Sequence, residues 1–85
     1  MKSLSIASEE GRKIKTIITE FLYATHGYGV GKVEIDSMKK HENQIEIHGK
    51  YDIGGILAFK WVKFTMVLDA DYRLLSYERT PIEQV

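Results

Sequence analysis

Between Ser8 and Gly27 the apolar residues Ile14, Ile17, Ile18, Phe21, Leu22 and Thr25 recur at intervals of three and four. That is the stripe of a helix lying on a core. The rest of the chain runs at a period of two, so a single helix must cover whatever sheet it builds. Ser8 is suited to cap the helix start, Glu9 and Glu10 suit the positive end of its dipole, and Gly27 is placed to end it in a left-handed conformation. Gly11 shares the inward face with Ile14 and Ile18, where glycine costs about 1 kcal/mol against alanine. Close backbone approach to a strand would compensate. Arg12, Thr16, Thr19 and Tyr23 form the outer face.

Beyond the Gly27-Tyr28-Gly29-Val30-Gly31 link, Val33 and Ile35 alternate with Lys32, Glu34 and Asp36, and residues 39–43 read as a turn. A second strand sets Ile45, Ile47, Gly49, Tyr51 and Ile53 against Gln44, Glu46, His48, Lys50 and Asp52, with a turn at Gly54-Gly55. The run from Ile56 to Asp69 would measure roughly 45 Å as one straight strand at about 3.3 Å per residue. Its phase changes from Leu57, Phe59 and Trp61 to Val62, Phe64, Met66 and Leu68, which predicts a bulge or bend near Trp61-Val62. Asp69-Ala70-Asp71-Tyr72 forms a tight turn with aspartates accepting backbone hydrogen bonds. Arg73 to Thr80 returns as the fourth strand, ended by Pro81. Short turns between consecutive strands give an antiparallel meander. The fold class is α+β: one N-terminal helix on a four-stranded antiparallel sheet, a cystatin-like or PepSY-like layout, in a single domain over residues 1–85.

The chain has 85 residues, with 44% hydrophobic and 28% charged, ordinary globular values. Twelve basic residues balance twelve acidic ones, which argues against nucleic acid or an anionic membrane as partner. The absence of cysteine excludes disulfides and thiolate chemistry. No apolar run approaches a membrane span. A cytoplasmic location follows as the expectation.

The glycine-rich GYGVGK at Gly27–Lys32 follows a helix C-terminus rather than preceding an N-terminus, so it reads as a turn and not a phosphate loop. His26, His41 and His48 with Glu42 and Glu46 have metal-ligating chemistry, but His41 lies in a turn and His26 at the far end of the helix, and neither metal nor other cofactor is expected. Asp69 and Asp71 are turn residues, no nucleophile–base spacing recurs, and the chain reads as non-enzymatic. Tyr51, Phe59, Trp61 and Phe64, interleaved with Lys50, Lys60 and Lys63, have the composition of a single-strand stacking surface. The neutral net charge opposes that reading.

Four strands span about 19 Å at about 4.8 Å each, whereas one helix covers about 10 Å. Part of the sheet is therefore uncovered. The first expectation is a binding or assembly module that homodimerises through its sheet, with Leu57, Phe59 and Trp61 at the interface. The alternative is a small-molecule pocket between helix and sheet, lined by Phe21, Tyr51, Phe64 and Met66.

The run from Phe64 to Arg79 holds an apolar strand, the Leu68-Asp69-Ala70-Asp71 hairpin and Tyr77-Glu78-Arg79. In this it resembles the end of the gas vesicle protein O family, where these elements follow one helix. Tyr72 stands where that family usually has glycine. The resemblance implies an accessory role in assembling a larger protein structure.

Overall fold

The computed structural model describes residues 2–3, 5, 7–27, 30–53 and 61–81. Helix α1 spans Glu9–His26, and both ends are closed as the sequence indicates. The Ser8 hydroxyl accepts from the Gly11 amide at 3.0 Å. Gly27, at φ 71°, donates its N–H to the Tyr23 carbonyl. Gly11 is buried against something other than a strand. A Cβ there would collide with the Ser5 carbonyl oxygen, which is held over the first turn by the Ser8 N–H at 3.1 Å and the Ser8 hydroxyl at 2.6 Å.

The sheet contains β1 (Lys2–Ser3), β2 (Val33–His41), β3 (Gln44–Asp52), β4 (Trp61–Asp69) and β5 (Leu74–Pro81), ordered β1-β2-β3-β4-β5 and antiparallel throughout. The four-stranded meander is present. A two-residue strand near the N-terminus adds to its outer edge, with Lys2 opposite Lys40 and Ser3 opposite Lys39.

Strand β2 runs further than its simple alternation indicates. A register shift between Ile35 and Ser37 moves the inward phase from Ile35 to Met38, so residues 39–41 remain in the strand and only Glu42 and Asn43 turn. Glu42 takes the left-handed φ of 43°. Strand β3 keeps the expected alternation, with Ile45, Ile47 and Tyr51 inward. Its Gly49 is required by Phe64, because a Cβ there would sit 2.8 Å from the Phe64 ring and collide with the Glu34 carbonyl oxygen.

Strand β4 pairs with β3 in unbroken register from Trp61 opposite Asp52 to Asp69 opposite Gln44. The bulge expected at Trp61-Val62 is therefore absent from the ladder. The sheet's second irregularity lies in the β4–β5 ladder at Val67 and Leu68, where Ser76 and Leu74 are the partners and Leu75 is left over. Gly54-Gly55, Leu57 and Phe59 fall outside the described residues. At the β4–β5 turn, Asp69 Oδ1 accepts from the amides of Asp71 at 2.8 Å and Arg73 at 2.9 Å.

Ile14, Ile18 and Leu22 of α1 are fully buried with Met38 of β2, Ile45 and Ile47 of β3, and Val62, Phe64, Met66 and Leu68 of β4. Each such side chain contributes about 1.5–3 kcal/mol of burial. The inward face of β4 is thus covered. The surplus of sheet over helix falls instead on β5, where Tyr77 alone among the described side chains is not exposed.

Candidate functional site

The end of α1 meets the inward face of β3 and β5 in a group of four polar side chains. His26 is the last helical residue, set there by the Gly27 cap. Tyr51 points inward from β3, and Tyr77 and Arg79, two residues apart on β5, share one face by the period of a strand. The two tyrosine hydroxyls lie 2.7 Å apart. His26 Nε2 is 3.0 Å from Tyr77 Oη and 3.3 Å from Tyr51 Oη. Arg79 reaches His26 Nδ1 at 3.4 Å and also hydrogen-bonds the Tyr51 hydroxyl.

Burial grades across the group. Tyr51 is fully enclosed, His26 and Tyr77 are half-buried, and Arg79 is exposed at the mouth. Burial holds the His26 imidazole below its ordinary pKa, and the Arg79 charge adds to that, so His26 is neutral at pH 7. Burial, followed by the hydrogen bond with Tyr51, pushes the Tyr77 phenol well above its ordinary value. The Tyr77 phenol therefore stays protonated in the physiological range.

The four residues of the expected helix–sheet pocket are divided by the structure. Tyr51, Phe64 and Met66 are packed core, with the Tyr51 and Phe64 rings 5.8 Å apart. Phe21 is half-buried and stands edge-on to Tyr77 at 5.3 Å. A groove of about 210 Å³ does run between α1 and the β4–β5 hairpin. Its walls include Ile17, Phe21, Met66, Tyr72 and Leu74, so two of the four residues line it and Tyr51 and Phe64 do not.

Of the expected interface, Leu57 and Phe59 lie outside the described residues. Trp61 is half-buried on the face turned away from α1, with Lys50 Nζ 5.2 Å above its ring. That face is polar. Lys32 and Lys50 pair with Glu34 at 3.2 and 3.5 Å, and His48 lies 3.4 Å from Glu46 and 3.2 Å from the Thr65 hydroxyl. A shallow depression of about 290 Å³ there includes Asp36, Lys63, Glu78 and Thr80 in its rim. Because Tyr51 and Phe64 point inward, the aromatic and basic residues of the stacking composition do not share one face.

His48 lies 3.4 Å from Glu46, with which the strand alternation puts it on one face, and His41, read from the sequence as a turn residue, approaches the same carboxylate at 3.8 Å. His26 lies across the sheet from them. No set of three His, Cys, Asp or Glu side chains among the described residues is arranged to hold a metal. No described helix is long and apolar enough to cross a membrane.

The His26–Tyr51–Tyr77–Arg79 group was not anticipated as a unit. Its usable signal was the Tyr77-x-Arg79 spacing, which puts a phenol and a guanidinium on one strand face. No family model, curated protein or solved structure matches the chain. The helix-on-meander α+β class is therefore assigned from the fold itself.

Proposed function

We propose that this is a non-enzymatic assembly module of the cytoplasm that pairs with a second copy of itself through the free edge of its sheet. The observation that carries this reading is β5, an eight-residue strand whose single neighbour among the described strands is β4. It bears Leu74 and Leu75, 40% and 52% exposed. A long edge carrying apolar side chains is a template for another strand. The other edge is blunted, since β1 covers part of β2 at Lys39 and Lys40.

A second copy suits that edge because antiparallel pairing of β5 with β5 about a two-fold axis is self-complementary. A chain of 85 residues also leaves much of its surface in water, so it gains from any contact that covers more. This moves the proposed interface along the sheet from Leu57, Phe59 and Trp61 to Leu74 and Leu75. The resemblance to the gas vesicle protein O family supports an accessory role in building a larger protein structure. Sedimentation equilibrium at micromolar concentration should give a dimer, and Leu75→Lys a folded monomer. A monomeric wild-type chain would end this reading.

A further inference from the structure

The group at the end of α1 holds more donors than acceptors. Arg79 always donates, so its 3.4 Å contact with His26 Nδ1 requires that nitrogen to be bare. A neutral imidazole then carries its proton on Nε2 and donates it to the phenols at 3.0 and 3.3 Å. The 2.7 Å contact between the phenols uses one hydroxyl proton. Whichever tyrosine supplies it, the proton of the other has no acceptor among the four side chains. Moving the imidazole proton to Nδ1 frees Nε2 to accept that phenol, but it sets N–H against guanidinium. Counted among these four side chains, one donor is left over in either tautomer. Arg79 also has no carboxylate partner among the described residues.

An acceptor oxygen bearing negative charge completes this arrangement. A carboxylate fits best, because its two oxygens can take the guanidinium fork and a phenol at once. Next to the group lies an apolar wall. Phe21 stands edge-on to Tyr77 and also lines the groove of about 210 Å³, whose walls include Met66, Leu68 and Leu74 and none of the four polar side chains. That groove has room for a short hydrocarbon body.

We propose that Tyr77 and Arg79, backed by His26 and the enclosed Tyr51, form a binding site for a small carboxylate with an apolar body, held by its anionic end at Arg79 and the Tyr77 phenol. The site does not depend on self-association, because these side chains project from the sheet face under the helix rather than along the free edge of β5.

The test uses the whole chain, with hexanoate and benzoate as probes and hexanol as the uncharged control, followed by NMR of the His and Tyr rings. Saturable shifts at His26 and Tyr77 are expected with the acids, with Kd on the order of 1 mM for ligands of this size. The bound carboxylate raises the His26 pKa, and hexanol leaves it unchanged. Arg79→Gln weakens hexanoate binding roughly ten-fold or more, while Leu75→Lys binds as the wild type does. Should Arg79→Gln not fold, Tyr77→Phe serves in its place, with the same direction of effect. Equal shifts from hexanoate and hexanol, undiminished binding in the folded variant, or no saturable shift would each overturn the assignment.

Discussion

The hydroxyl of Tyr72 donates to the Glu10 carboxylate at 2.9 Å, joining residues 62 positions apart in the chain. Lys40 approaches the same carboxylate at 3.4 Å, and Lys13 lies 4.8 Å above the Tyr72 ring. The first turn of α1, β2 and the β4–β5 turn are thus tied at one point. Tyr72 holds φ 64°, a left-handed conformation that costs a residue with a β-carbon roughly 1–2 kcal/mol. Glycine would take that φ without strain but would supply neither the ring nor the hydroxyl.

Replacing Tyr72 with Phe should lower stability by about 1 kcal/mol at neutral pH, at the low end for a bond to a charged group because Glu10 is partly exposed. The Tyr72 hydrogen bond, and then Lys40, hold the Glu10 carboxyl below its ordinary 4.5 against the opposing effect of burial. A depressed carboxyl stabilises the fold above its unfolded pKa, and that contribution is lost as pH falls through the folded value. The gap between wild type and Tyr72→Phe should therefore close in acid. Urea unfolding at pH 7 and at progressively lower pH measures it, and a gap independent of pH would place the effect elsewhere.

His26 acts in the same sense, in a higher pH range. Its folded pKa lies below the ordinary 6.5, so the unfolded chain binds the proton first as the medium acidifies. Stability should fall as pH drops below 6.5 and level off once the folded imidazole is also protonated. His26→Gln keeps a side chain that can donate and accept, and it should remove that step from a plot of Tm against pH. A wild-type Tm that stays flat across this window would show that His26 titrates alike in both states.

Gly11→Ala should destabilise the protein, although the same change at an open helical site stabilises by about 1 kcal/mol. The added Cβ meets the Ser5 carbonyl oxygen, which also accepts from Ser8 at the helix cap. Chemical denaturation gives the sign directly. An increase in stability would show that the segment before α1 moves aside without loss.

Gly49→Ala should cost about 1–3 kcal/mol through overpacking against Phe64. Part of the loss should be recovered by adding Phe64→Leu, which removes the ring that meets the new methyl group. A double-mutant cycle reads the coupling, and strictly additive losses would assign the damage to the Glu34 carbonyl instead.

The helix and β3 were legible because each carries a long, unbroken period with its own end signals: Ser8 and Gly27 for the helix, and the alternation from Gln44 to Asp52 for the strand. Strand β2 was read short because one extra residue near Asp36 inverts its phase, and a phase inversion looks like a loop when only alternation is followed. The uncovered part of the sheet was expected on the run from Ile56 to Asp69, of which Leu57 and Phe59 fall outside the described residues. The described aromatics there, Phe64 and Trp61, are split between the two faces, and among the described sheet residues the exposed large apolar side chains are Leu74 and Leu75. The polar group escaped for another reason. His26 lies 25 positions from Tyr51 and 53 from Arg79, so only the packing of α1 across the sheet brings them together.

The strictly sequential strand order has a consequence for how the chain reaches this structure. Each of β2 to β5 pairs with its chain neighbour, so these hairpins close short loops and need nothing from the first third of the molecule. The long-range clasps are those at the two ends of α1, Glu10 to Tyr72 and His26 to Tyr77 and Arg79. Ordering by loop length puts the hairpins early and helix docking late. Removing a clasp should then speed unfolding while leaving the folding rate nearly unchanged. The two contacts act as latches on an assembled sheet rather than as the nucleus that builds it.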